Sequence, residues 1–342
     1  MTPDTEEGDR LAGSPHPRER FDFFGHHEVE TELLTALRSG RIPHAILLAG
    51  PQGIGKATLA YRLARFLLAG ADRSAKSLDI VSDHPVSRQV AALSYPDLLT
   101  LRRLPRDDGK ALSEFIRVED TRRLVQFFGS TAAYGGWRVC IIDSVDDMNA
   151  ASANAMLKLL EEPPANAMLI LVSHAPGRLL PTIRSRCRRV DMKPLTDGEV
   201  LRALQSVTAD MEDIDPTNLG AAAEAGRGSV GRALSLLLTG EDGLEVLHMT
   251  QRLLAQLPEV ESGSIAALGD KLRGDQLNVF ADTVEDWLAA AATGDAPPAR
   301  LARYAEAWEN VRRATATADI YNLDRKPLVF QVFAVLAEAT RD

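Results

Sequence analysis

Short apolar runs and helical stripes alternate along the first half of the chain. Ala45-Ile46-Leu47-Leu48, Asp97-Leu98-Leu99-Thr100-Leu101-Arg102, Val139-Cys140-Ile141-Ile142 and the run from Met168 to Val172 read as strands. Continuous apolar runs of this length, rich in branched side chains, suit strands covered on both faces. Between them the period lengthens to that of a helix. Helices are predicted over 28–37, 59–68 and 119–128. Another follows the third strand, with Ala153, Met156, Leu157 and Leu160 at spacings 0, 3, 4 and 7 and a stop at Pro163-Pro164. Strands alternating with helices predict a parallel, doubly wound α/β domain. Residues 70–95 read as polar and irregular, and Asp107-Asp108-Gly109-Lys110 reads as a turn.

After Arg189 the pattern turns wholly helical. Thr196 is placed to cap a helix start. Residues 193–240 read as a small helical unit, and 241–342 as a second, larger one. Leu301, Tyr304, Ala305 and Trp308 recur at 0, 3, 4 and 7, as do Val329, Val332, Phe333 and Leu336. Gly294 and Pro297-Pro298 separate one helix from the next. The stripes suit a packed core, with a subunit interface on the same bundle as the alternative. At the other end, residues 1–20 carry Pro3, Pro15 and Pro17 and no apolar core, which predicts a disordered tail and excludes a signal peptide. The division expected is therefore 1–20, 21–192, 193–240 and 241–342.

The first strand runs straight into Gly50-Pro51-Gln52-Gly53-Ile54-Gly55-Lys56-Ala57-Thr58, a phosphate-binding P-loop with one defect. Gly50, Gly53 and Gly55 let backbone N–H groups converge on an anion at a helix N-terminus. Lys56 would reach the β- and γ-phosphates. A hydroxyl at position 57 normally ligates Mg²⁺, and Ala57 has none. Thr58 lies about 100° further round the helix and is an imperfect substitute. The sequence therefore predicts ATP or ADP binding with poor handling of Mg²⁺. Asp143 ends the third strand where an open α/β sheet places its site, and it can hold a metal. Ser144 follows, where a water-activating glutamate would stand. A serine is no general base at neutral pH. Asp146 and Asp147 read as the start of the next helix. Arg186 sits in a basic run with Arg184, Arg188 and Arg189, read either as a solvated edge or as an arginine finger offered to a neighbour's ATP. The aromatic cluster Phe21 to Phe24 reads either as an anchor to the core or as a wall beside a nucleotide base.

Composition narrows the setting. The 342 residues are 45% hydrophobic and 25% charged, with net charge −9. Such an acidic chain is a poor nucleic-acid binder by itself, so work on DNA would pass through partners. Two cysteines, Cys140 and Cys187, form no four-ligand zinc site, and nothing suggests disulfide-stapled secretion. No apolar stretch approaches the length of a membrane span. These features predict a cytoplasmic protein that binds no zinc and no membrane.

Taken together, Gly50 to Thr58, Val139 to Asp143, the run from Asn154 to Pro164 and Ser185-Arg186-Cys187 resemble the bacterial clamp-loader subunits of the AAA+ class. The resemblance covers roughly 21–342. Leu323-Asp324-Arg325-Lys326 resembles the last collar helix of the family's stator subunit. The resemblance implies an α/β nucleotide-type domain, a helical lid and a helical collar that joins five subunits in a ring. It implies that Lys56 is the P-loop lysine, Asp143 the metal-binding acid, Ser173 a sensor at a strand end, and Arg186 a finger directed into an adjacent motor subunit. Gly231 takes the place of the lid's second sensor arginine, with Arg232 one residue along. Ala57, Ser144 and the missing zinc cysteines separate this chain from the hydrolysing motor. They favour a stator without its own ATPase activity. Its implied partners are gamma/tau motor subunits and a delta subunit in a hetero-pentamer of the DNA polymerase III assembly. The sliding clamp and primed DNA would be reached through that complex. The alternative is a motor ATPase of the same family.

Overall fold

The computed structural model describes residues 7–105, 112–274, 276–292, 297–320 and 323–341. The turn expected at Asp107-Asp108-Gly109-Lys110 and the break at Gly294 lie outside the described residues. Five strands form one parallel sheet: β1 (Ala45–Ala49), β2 (Leu98–Leu101), β3 (Arg138–Asp143), β4 (Ala167–Ser173) and β5 (Arg188–Asp191). Their spatial order is β2-β3-β4-β1-β5. Strands β1, β3 and β4 are buried along their whole length, as their apolar runs require.

Because side chains alternate across a strand, each run feeds two cores. Ile46, Leu48, Ile141 and Ile170 face α1 (His27–Arg38), α2 (Lys56–Leu68) and α3 (Pro85–Ala91). Ala45, Leu47, Ile142 and Leu171 face α4 (Val118–Gly129), α5 (Ala150–Glu161) and the short α6 (Pro181–Arg184). The sheet is thus covered on both sides, and the strands of such a sheet place ligands at their carboxyl ends.

Three helices follow: α7 (Asp197–Thr208), α8 (Leu219–Ala225) and α9 (Val230–Leu238). Thr196 caps α7 as expected. Its hydroxyl accepts from the Glu199 amide at 3.3 Å, and the Glu199 carboxylate accepts from the Thr196 amide at 2.9 Å. Thr196→Ala removes half of this reciprocal box and is expected to cost about 1 kcal/mol in urea unfolding. An unchanged midpoint would show that the cap contributes nothing.

The chain divides into two compact units, 1–234 and 235–342, with the division falling inside α9. The second unit holds α10 (Glu241–Leu254), α11 (Ser262–Lys271), α12 (Gln276–Ala292), α13 (Pro298–Ile320) and α14 (Arg325–Thr340). Here α14 packs on α11 and α13, and α12 packs on α10 and α13. Val329, Val332, Phe333 and Leu336 are all buried, as their spacing predicts. On α13 the buried face is Tyr304, Ala307, Val311 and Thr315, whereas Ala305 points to solvent. The predicted stripe there was one residue out of phase. Asp324 caps α14 by accepting from the Lys326 amide, and Lys326 pairs with Asp270 of α11 at 2.9 Å.

The disordered tail is corrected over residues 7–20, while residues 1–6 lie outside the described residues. A single 3-10 turn, Pro17–Glu19, is capped by His16. Arg65 of α2 is buried and donates to the carbonyls of Arg18 and Arg20 at 3.0 and 2.8 Å. Arg18 donates to the Ala91 carbonyl at 3.0 Å. Charge and proline suggested solvation, but the segment is ordered by polar anchors in place of apolar ones. Likewise α3 arises in a stretch read as irregular, because only Val86 and Val90 anchor it to the core.

Candidate functional site

Strand order reverses its direction at β1, with β4 on one side and β5 on the other. The loop after β1 therefore opens at the crevice where α/β sheets bind ligands. Register brings three predicted residues to one level. Ala49 pairs with Ser173, and Asp143 pairs with Val172. Gly50, Asp143 and Ser173 thus converge at the carboxyl ends of β1, β3 and β4.

The P-loop takes the shape its glycines allow. Gly50, Gly53 and Gly55 have φ of 153°, 75° and 99°, and Gly55 stands directly before Lys56, the first residue of α2. Lys56 is 3% exposed and turns back on its own loop. Its ammonium donates to the Gly50 carbonyl at 2.7 Å and to the Pro51 carbonyl. Burial lowers its pKa to about 8 against the pull of Asp143 and Asp146. Ala57 and Thr58 are half-buried on the next turn. Phe23 lies beside Gly55, where an added Cβ would come within 3.6 Å of its ring. Phe23 also packs against the core, so the aromatic cluster both anchors the chain and borders the loop.

The start of α9 sits on the same loop. Ser229 donates its hydroxyl to the Gln52 carbonyl at 2.9 Å, and the Gly231 amide donates to the Gly53 carbonyl at 3.0 Å. A Cβ on Gly53 would stand 2.4 Å from Ser229 Oγ and 2.9 Å from Gly231 Cα. Two glycines meet where the lid's sensor arginine was expected to be replaced.

Asp146 corrects a second expectation. It stands in a single 3-10 turn, Val145–Asp147, and not in α5, which begins at Ala150 and is capped by Asn149. Its carboxylate instead closes the end of β4, accepting from Ser173 Oγ at 2.8 Å, the His174 amide at 2.6 Å and the Ala175 amide at 3.3 Å. Ser173 is fully buried and its hydroxyl is held there. Burial and the nearby Lys56 hold His174 down to about 4. Ser144 donates to Asp147, which also pairs with Arg103 at 3.3 Å.

Asp143 is 8% exposed. Burial and the charge of Asp9 raise it to about 7, against the opposing pull of Lys56. A carboxyl raised in the folded state binds more protons there than in the unfolded chain. Its contribution is neutral near pH 4 and increasingly unfavourable up to about pH 7. Asp143→Asn is expected to raise the melting temperature at pH 7.5 and to leave it unchanged near pH 4. Equal shifts at both pH values would show that the carboxyl is ionised in both states.

Arg186 stands apart from this cluster, half-exposed after α6. Its guanidinium pairs with Glu161 at 2.8 Å and donates to the Thr182 carbonyl at 3.0 Å. Cys140 and Cys187 are both buried, and burial raises both thiols, that of Cys187 to about 12. Among the described residues no group of three or more His, Cys, Asp and Glu side chains could hold a metal, and no helix is long and apolar enough to cross a membrane.

Magnesium nucleotide does not fit the cradle in this arrangement. Lys56 is bonded to carbonyls of its own loop, Gly53 is covered by Ser229 and Gly231, and the Ala57 side chain offers no oxygen.

Comparison with known proteins fits this arrangement of motifs. The sequence profile of the family described as DNA polymerase III, delta subunit, matches residues 25–196, half of the chain. The chain belongs to that family. A DNA polymerase III subunit delta' of Pseudomonas aeruginosa is 42% identical over 144 residues, which are 42% of this chain and 41% of that protein. A subunit delta' of Escherichia coli is 31% identical over 205 residues, covering 60% of this chain and 58% of its own. A subunit tau of Escherichia coli is 29% identical over 272 residues, covering 78% of this chain and 40% of its own. The matches thus span less than two thirds of each relative's length. Among solved structures, a gamma subunit-related DNA polymerase III protein of Thermotoga maritima aligns over 90% of this chain and all of its own, at 18% identity and TM-score 0.42. For this member of the delta subunit family, sequence reasoning located Lys56, Asp143, Ser173 and Arg186. It missed Asp146, which meets Ser173 across 27 residues, and the N-terminal Asp9, which meets Tyr61 across 52 and Arg102 across 93, because pairings at such separations leave no local pattern.

Proposed function

We propose that this chain is the stator of a DNA polymerase III clamp loader, a subunit that holds the assembly and donates Arg186 to a neighbour's ATP. Its partners would be gamma/tau motor subunits and a delta subunit in a hetero-pentamer, with the helices of 241–342 as the assembly collar. The sliding clamp and primed DNA would be met through the complex. The observation that carries this reading is the pairing of two facts. The chain's own P-loop lysine is bonded to its own loop, while Arg186 lies at the surface in a Ser-Arg-Cys motif. ATP hydrolysis needs a metal, a positioned water and positive charge on the transition state. Ala57 and Ser144 withdraw the first two from this chain's own site, whereas Arg186 can supply the third to another.

The test is phosphate release from the pure chain with Mg²⁺ and ATP. No turnover above background is expected, before or after Lys56→Ala. A second reading, a motor ATPase, draws on the likeness to subunit tau across 78% of this chain. Steady-state hydrolysis lost in Lys56→Ala would establish that reading and end the stator one.

A further inference from the structure

We propose that the P-loop of this chain is a structural joint that ties the start of α9 to the sheet, with Lys56 as its inner staple. The groups that leave no room for magnesium nucleotide are the ones that build this joint. It stands whether or not Arg186 acts as a finger. The loop's carbonyls are all taken. Every one from Gly50 to Ile54 accepts a hydrogen bond from a protein donor. The Lys56 ammonium donates to Gly50 at 2.7 Å and to Pro51. The Ser229 hydroxyl donates to Gln52 at 2.9 Å, and the Gly231 amide to Gly53 at 3.0 Å. The His26 ring donates from Nε2 to Ile54 at 2.9 Å. Surface loops commonly leave such carbonyls to water. Here the donors come from α2, from the residue before α1 and from the start of α9. An anion cradle has the opposite polarity: its amides converge inward and its lysine is left for the phosphate.

The chain passes this loop twice. After β5 the Met192 amide donates to the Ala49 carbonyl at 2.8 Å, and a Cβ on Gly50 would stand 2.3 Å from the Met192 carbonyl. The chain then runs through α7 and α8 and returns to Gly53 at the start of α9. The two passes are tied to each other as well. The Leu195 amide donates to the Gly228 carbonyl at 3.0 Å, and Gly228 turns there with φ of 82°. Both ends of the excursion are thus pinned at one loop.

The joint also meets a need of α9. The first four amides of a helix have no carbonyl of their own helix to bond. The Ser229 hydroxyl satisfies one of them, accepting from the Arg232 amide at 3.1 Å. The Gly53 carbonyl satisfies another, that of Gly231. Protection of the Gly231 amide therefore reports the joint and not the helix.

The experiment is hydrogen exchange on the full-length protein, resolved at single amides by nuclear magnetic resonance, for the parent chain and for Lys56→Met. The variant removes the staple and leaves Ser229 and Gly231 in place. In the parent chain the Gly231 amide is expected to exchange slowly, through local opening of the joint. In Lys56→Met it should exchange about tenfold faster or more, because two loop carbonyls are left without their donor. Adding Mg²⁺ and ATP to the parent chain should leave exchange over 50–58 unchanged. Unchanged Gly231 exchange in a folded Lys56→Met variant would overturn the joint, since the staple would then hold nothing beyond its own loop. Slower exchange over 50–58 with ATP would overturn it by returning the loop to a cradle. A free-peptide rate at the Gly231 amide of the parent chain would overturn it without any variant. The stator reading is decided separately, by phosphate release and by Arg186→Ala in the assembled loader.

Discussion

Arg186→Ala is expected to leave the chain folded and assembled while ATP hydrolysis by the assembled loader falls. The γ-phosphate gathers negative charge in the transition state, and a planar guanidinium can pair with two of its oxygens. Arginine fingers supplied in trans are worth about 10³–10⁵ in rate in the GTPases where they have been measured. Only one interface of a multi-site ring would lose its finger here, so the loss for the whole complex should be smaller. Stability should change little. Arg186 and its partner Glu161 are 34% and 51% exposed, and pairs that open contribute about 0–1 kcal/mol. Arg186→Lys should restore only part of the activity, because an ammonium lacks the forked donors. The assay is a reconstituted loader carrying either substitution, measured for complex formation and DNA-stimulated ATPase in parallel. Undiminished hydrolysis in an intact Arg186→Ala complex would return the residue to a solvated edge, its pair with Glu161 being its whole role.

Arg62→Ala should do the opposite: a large loss of stability from a residue far from that surface. Arg62 of α2 is buried and faces Glu30 of α1, donating from Nε and Nη2 at 3.2 and 3.1 Å. It also donates to the Phe21 carbonyl at 3.0 Å and lies over the Phe23 ring. Glu30 in turn accepts from the Leu78 amide at 2.9 Å. Removing the guanidinium leaves a buried carboxylate with one amide donor and no adjacent cation. Breaking such a pair costs about 3–5 kcal/mol, whereas replacing both partners by apolar side chains is often close to neutral. Urea unfolding followed by circular dichroism should show the first effect in Arg62→Ala. It should show a much smaller one in Arg62→Met/Glu30→Met. A single substitution costing under about 1 kcal/mol would mean that water reaches Glu30 and the pair is effectively solvated.

Much of the fold was legible because the strands are buried on both faces. Ala45–Ala49, Arg138–Asp143 and Ala167–Ser173 cannot hide as amphipathic patterns. Strand β5 was invisible for the converse reason. Of Arg188–Asp191 only Val190 is buried, so an edge strand read as part of a basic run. The site divides along the same line. Lys56, Asp143 and Ser173 sit at fixed offsets from strand ends, and a motif can find them. Asp146 closes a strand end 27 residues away, and Asp9 meets Arg102 across 93. Those pairings depend on the finished topology, and single-sequence patterns carry no trace of them. The order of residues 7–20 was missed because composition registers charge without registering whether that charge is paired.

The contact between Gly53 and Gly231 also limits how this loop could be redesigned. A Cβ on residue 231 would stand 2.9 Å from the Gly53 Cα, and a Cβ on residue 53 would stand 2.4 Å from Ser229 Oγ. Neither position accepts a side chain until the loop or the start of α9 moves. A hydroxyl introduced at position 57 would leave that contact in place. An engineer rebuilding this loop would therefore have to change both of its faces together, because no substitution at either glycine alone relaxes it.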